Sequence, residues 1–124
     1  MDDPRHALGL AGEEHALRAL RRAGLRLVAR RVATPFGELD LVMREGRTVV
    51  FVEVKTQANP RFADPPVSPA QQRRLLRTAS WFLHERGLEN SPCRIDVVLV
   101  VLAEPRAAPS HLRHLADAIQ PTRG

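Results

Sequence analysis

The sequence predicts an α/β domain, a mixed β-sheet flanked by helices in the order α-β-β-β-α-β, with a short C-terminal helix after the last strand. Three observations predict it. Two segments carry apolar residues at three- and four-residue spacing between helix start and stop signals. Three strand-like runs lie between them, separated by turn residues. After the second helix comes CRIDVVLVVL, from Cys93 to Leu102, so continuously apolar that it reads as an interior strand covered on both faces and reached by a crossover. At 124 residues the chain suits one domain spanning 1–124, with one core.

The elements follow in order. Asp3-Pro4 supplies a capping side chain and a proline at the first helical position, and Gly24 ends the helix after about Ala23. On it Leu10, Glu13, Ala16, Leu17 and Leu20 share a face. A carboxylate on that stripe needs a cation, a hydrogen bond or an arginine at the stripe's edge, so Glu13 stands out. Glu14 has Arg18 four residues on and reads as an exposed ion pair.

The strand-like runs are LRLVARRVA from Leu25, ELDLVMR from Glu38 and TVVFVEVK from Thr48. Thr34-Pro-Phe-Gly37 and Glu45-Gly46 are the turns of a meander. The stretch ANPRFADPPVSP, too rich in proline for a ladder, is expected to lie over the surface as a flap. Ser68-Pro69 opens the second helix and Gly87 closes it. Leu75, Leu76, Ala79, Phe82 and Leu83 form its apolar stripe, and Trp81 and Phe82 read as core. Residues 104–124 form a tail in which Ser110 caps a short helix, HLRHLADAI.

Composition bounds the function classes. With 44% apolar and 27% charged residues, and no long uncharged apolar window, no membrane span is expected. An acidic N-terminus and a single cysteine argue against a secretory signal and an internal disulfide, so the expected compartment is the cytoplasm. A net charge of +5 and a pI near 11.1 suit an anionic partner such as nucleic acid, and equally a solvated basic surface. Among the 19 Lys+Arg, Lys55 is the only lysine. Arginine replaces lysine on most surfaces but not where a compact ammonium is needed, which singles Lys55 out.

Alternation places Glu53 and Lys55 on one face of the third run, with Phe51 and Val49. With a Glu45-Gly46 turn, Asp40 of the second run lies on that same face, opposite Phe51 and diagonal to Glu53, while Glu38 sits opposite Glu53. Carboxylates so close are costly unless a cation neutralises them, and hard oxygen ligands suit magnesium or manganese. An ammonium one residue along can position a water or offset charge on a phosphate. These are the parts of metal-assisted phosphodiester hydrolysis. The same pattern also suits an amphipathic hairpin whose lysine makes ion pairs at a sheet end. No Walker loop, zinc-binding cysteine pair or tyrosine competes, and His111 and His114 read as surface residues.

GLAGEEHALRAL, GELDLVMREGRTVVFVEVK, LLRTASWFL, RIDVVLV and HLADAI together resemble the YraN family of small bacterial proteins, placed in the PD-(D/E)xK nuclease superfamily near the Holliday-junction-resolvase-like members. The resemblance spans Gly9 to Ile119 and is most specific in GELDLV and VFVEVK. It implies a restriction-endonuclease-like fold and a DNA-directed, magnesium- or manganese-dependent nuclease, in which junction-cleaving relatives work as pairs and a homodimer is expected. By the same resemblance, Asp40 matches the "PD" aspartate, although Leu39 stands before it, and Glu53 and Lys55 match the "ExK" pair. Asp40 and Glu53 would hold the metal, with the Val54 carbonyl as a further ligand. Glu13 matches the first-helix acid, and Gln71 stands where the family often has a lysine near the start of the second helix, so the resemblance makes both candidate catalytic residues beside Asp40, Glu53 and Lys55. Asp96 matches an acidic position of structural character. Arg73, Arg74 and Arg77, at the start of the second helix, are candidates for phosphate contacts, though they read equally as a solvated face. The rival expectation is a non-catalytic nucleic-acid- or protein-binding module on the same fold.

Overall fold

The structure, a computed structural model, describes residues 3–59 and 67–120. Most of the proline-rich flap expected after β3 lies outside the described residues. The elements are α1 (Pro4–Arg22), β1 (Arg26–Thr34), β2 (Gly37–Glu45), β3 (Thr48–Gln57), α2 (Pro69–Glu85), β4 (Cys93–Val101) and β5 (His111–Ile119). The five strands form one mixed sheet in the order β1-β2-β3-β4-β5, antiparallel except for the parallel β3–β4 pair. The expected α/β class, meander and crossover are all present.

Local chemistry sets the helix starts. The Asp3 side chain accepts the Arg5 amide, and Ser68 and Gln71 close a reciprocal capping box at α2. Each helix covers one face of the sheet. α1 buries Ala16, Leu17 and Leu20 against Leu41, Met43, Val50, Val52, Val98 and Val100. α2 buries Leu75, Ala79, Phe82 and Leu83 against Val42, Val49, Phe51, Ile95 and Val97. There Phe51 and Phe82 meet edge to face, with ring centroids 5.7 Å apart.

The C-terminal helix is a correction. HLRHLADAI is the edge strand β5, antiparallel to β4. Without it β4, apolar on both faces, would leave its second edge of backbone groups unpaired. The three-residue spacing that resembles a helix stripe puts Leu112 and Leu115 on opposite faces, in the two different cores. Ile119 returns to the Leu115 side across an irregularity between the Val97↔Leu115 and Ile95↔Ile119 pairs, where Asp117 has φ 52°. Asp96, fully buried, fills that irregularity: its Oδ1 accepts the Asp117 amide at 2.8 Å and Arg94 Nε at 3.0 Å. His114, expected at the surface, lies with Nε2 2.7 Å from Asp96 Oδ2. Arg94 also donates to Glu45 at 2.8 Å, and these bonds to Asp96 and Glu45 hold its guanidinium in the charged form.

Candidate functional site

The β2–β3 hairpin turns at Gly46-Arg47, since Glu45 pairs with Thr48, and not at Glu45-Gly46. Moving the turn by one residue moves the register by two, so parity and face survive. Continued past its last pair, Leu41↔Val52, this register sets Asp40 opposite Glu53 instead of diagonal to it. The expectation that Glu38 opposes Glu53 falls: Glu38 is exposed and pairs with Ala33 on β1.

The sheet forks at this point. β2 stays paired with β1 down to Gly37, and β3 stays paired with β4 up to Gln57, but the β2–β3 pairing ends at Leu41↔Val52. β2 also rotates there. Leu39 and Leu41, which a regular strand would put on one face, belong to the α2-side and α1-side cores respectively. On β1, Arg31, which the register sets against Asp40, has φ 49°. Beyond the last rung the Val54 amide donates to Asp40 Oδ2 at 2.9 Å, so a side chain takes the place of the next ladder bond.

Glu53 lies in the mouth of the fork, 8% exposed. Its Oε1 is 3.8 Å from Lys55 Nζ and 3.9 Å from Arg74 Nη2, while its Oε2 is buried with no hydrogen-bond partner. Burial, then the charge of Asp40, push the Glu53 carboxyl up to about 7 against the pull of Lys55 and Arg74. Asp40 is also raised, first by burial and then by Glu38, against the Val54 hydrogen bond. The pair therefore retains a proton in a pH range where isolated carboxyls have lost theirs.

Glu13 reaches the same place from the α1 side. Its carboxyl is raised by burial and by the charge of Asp40. Arg31 Nε lies 3.5 Å from its Oε1, which is buried without a hydrogen bond. Gly12 makes this approach possible: a Cβ there would come 2.0 Å from Thr56 Oγ1 on β3. Glu14 forms its ion pair with Arg30 of β1; that bond lowers its pKa, and the charge of Arg18, the expected partner, acts in the same direction.

Asp40, Glu53, Lys55 and Glu13 are thus brought together, and Arg74 joins them. Gln71 is the third residue of α2, and its described hydrogen bonds belong to the capping box. Arg73 and Arg77 line a depression of about 300 Å³ with Arg74, Ala70 and Phe36. Sequence reasoning missed three contributors. Phe36 and the Arg74–Glu53 contact depend on how α2 docks; Gly12, inside GLAGEE, was the legible one, a glycine within a helical stripe.

The donors fit a hard divalent cation. Glu53 Oε2 and Glu13 Oε1 are orphaned buried oxygens, and Asp40 and Glu53 converge from the two arms of the fork. Among the described residues no three His, Cys, Asp or Glu side chains are close enough to form a cage by themselves. Two carboxylates with water completing the shell is the way magnesium is commonly held.

A family model described as "Uncharacterised protein family UPF0102" matches residues 12–100, the segment from Gly12 of α1 to Val100, the residue before the end of β4. A UPF0102 protein of Parvibaculum lavamentivorans is 46% identical over 120 residues, covering 94% of this chain and 84% of that relative. UPF0102 proteins of Symbiobacterium thermophilum and Shewanella amazonensis are 46% and 48% identical, over 75% and 74% of this chain and 80% and 86% of their own lengths. With the fork and its carboxylates inside the matched segment, the chain belongs to the UPF0102 family.

Proposed function

We propose that this protein is a metal-dependent nuclease of the PD-(D/E)xK type, related to the YraN proteins, that hydrolyses phosphodiester bonds of DNA and selects its substrate by shape. The observation that carries the reading is Asp40 set against Glu53 at the fork, with a buried unpartnered oxygen on Glu53 and the chain's only lysine at its side. Buried carboxylates at this spacing are a cost to the fold unless a cation compensates them.

In this reading Asp40 and Glu53, with the Val54 carbonyl, hold magnesium or manganese, which supplies charge for the phosphate oxygens and lowers the pKa of an attacking water. Asp40 is positioned for this by the Val54 amide. Lys55 Nζ orients the water and offsets charge growing on the phosphate. Arg74, beside Glu53, holds a phosphate oxygen, and Arg73 and Arg77 extend the basic surface along the strand. Glu13 balances charge from the α1 side. The compartment is the cytoplasm, and a homodimer suits a junction-shaped substrate.

The test is cleavage of labelled linear, flapped and four-way-junction DNA with magnesium or manganese. Wild type should cut in a metal-dependent manner, and Glu53→Ala and Lys55→Ala should each lose about 100-fold or more in rate. A wild type that cuts none of them while binding DNA in a salt-sensitive way would replace this reading with the non-catalytic binding module.

A further inference from the structure

Phe36 sits at the tip of the β1–β2 hairpin, between the paired residues Thr34 and Gly37, and is 42% exposed. It belongs to neither core. The chain has four phenylalanines, one tryptophan and no tyrosine, so an aromatic ring left at a turn is a conspicuous use of a scarce residue. Arg77 lies over the ring, 5.7 Å from its centroid. Phe36 also lines the depression, with Ala70, Arg73, Arg74 and Arg77. Among the described residues Arg73 and Arg77 have no carboxylate partner, while Arg74 reaches from the depression to Glu53. Gly37 leaves Arg74 its path: a Cβ there would stand 2.7 Å from Arg74 Nη1.

An apolar ring with three guanidinium groups beside it matches a planar base joined to phosphates. Bases within a duplex are stacked on one another and do not offer a face, whereas an unpaired base does. We infer that the Phe36 depression is a stacking site for an unpaired base adjoining the phosphate at Glu53, so that the substrate class is nucleic acid with an unpaired strand at the cleavage point. The inference takes from the nuclease reading only the position of that phosphate. Its physical content is selectivity: the arginines hold any strand, and the ring adds affinity only where a base has left the stack.

The test uses three DNAs carrying 2-aminopurine: a single strand, a duplex with a flap labelled at its first unpaired position, and a full duplex. Affinity and 2-aminopurine fluorescence are measured in chelator for wild type, Phe36→Ala and Phe36→Trp. Wild type should quench the fluorophore in the flap and the single strand. Phe36→Ala should lose the quenching and weaken both by about five-fold or more while leaving the duplex within about two-fold, and Phe36→Trp should restore both. Equal flap affinity and quenching in wild type and Phe36→Ala, or equal losses on flap and duplex, would overturn the inference. Adding magnesium or manganese separates the two readings. Cutting of the flap that is indifferent to Phe36 removes the stacking site and leaves the nuclease. Phe36-dependent quenching without any cutting removes the nuclease and leaves the stacking site.

Discussion

Asp40 Oδ2 accepts the Val54 amide hydrogen at 2.9 Å, so one carboxylate both ends the β2–β3 ladder and is held beside Glu53. The hydrogen bond gives Asp40 a fixed orientation but uses only one of its oxygens. Its electrostatic effect falls on Glu53, whose carboxyl has no comparable donor on Oε2.

Without metal, this arrangement makes stability depend on pH. Glu53 titrates at about 7 in the fold and near 4.5 when unfolded. A folded pKa above the unfolded one means that the native state binds the extra proton, so the stabilising contribution is complete below about 4.5 and is lost as pH rises through 7. In chelator, Glu53→Gln should therefore match wild type near pH 4.5 and be more stable at pH 8, by up to roughly 3 kcal/mol. Thermal melts at the two pH values check this. A variant no more stable than wild type at pH 8 would contradict it, and magnesium should raise the pH 8 melting temperature of wild type alone.

At Gly12 the bare backbone of α1 packs on the Thr56 side chain of β3. Gly12→Ala drives a methyl into Thr56 and should cost about 1–3 kcal/mol, because the whole helix must lift. Lifting α1 also withdraws Glu13 from Asp40. Urea denaturation of Gly12→Ala and of Gly12→Ala/Thr56→Ala checks the cause: the double variant should recover most of the loss.

Asp96 is a structural anchor for β5, accepting from Arg94 and the Asp117 amide. Asp96→Asn removes the charge that Arg94 faces and replaces an acceptor with a donor inside the fold. The expected loss is about 3 kcal/mol, with increased amide exchange confined to β5 and the β4 residues beside it. Uniform exchange across the sheet, or unchanged stability, would argue against that local role.

Much of this was legible because the signals are local. Helix caps, the apolar stripes of α1 and α2 and the alternation in β3 all follow from residues within a few positions of one another. The faces of Asp40, Glu53 and Lys55 were legible even with the hairpin turn misplaced, because a two-residue shift in register preserves parity. β5 was not, since its leucine spacing suits a helix until β4 offers it an edge. The capping role of Gln71 was visible in Ser68-Pro-Ala-Gln71, an N-cap with an amide three residues on, but was overshadowed by a family position. The contact of Arg74 with Glu53 and the exposure of Phe36 depend on where α2 comes to rest, which no short window of sequence encodes.

The one parallel pair in the sheet bears on the order of assembly. The hairpins β1–β2 and β2–β3 close two-residue turns, whereas β3 meets β4 only after the chain has traversed α2. Short closures are the fast ones, so the acidic residues first meet in a solvated meander and lose their water late, when α2 and β4 dock. Proton uptake by Glu53 then belongs to the final step of folding. In chelator, stopped-flow unfolding of wild type should be slower at pH 6 than at pH 8 while refolding changes little, and both rates should be indifferent to that change in Glu53→Gln, making this buried acid a reporter of when the core closes.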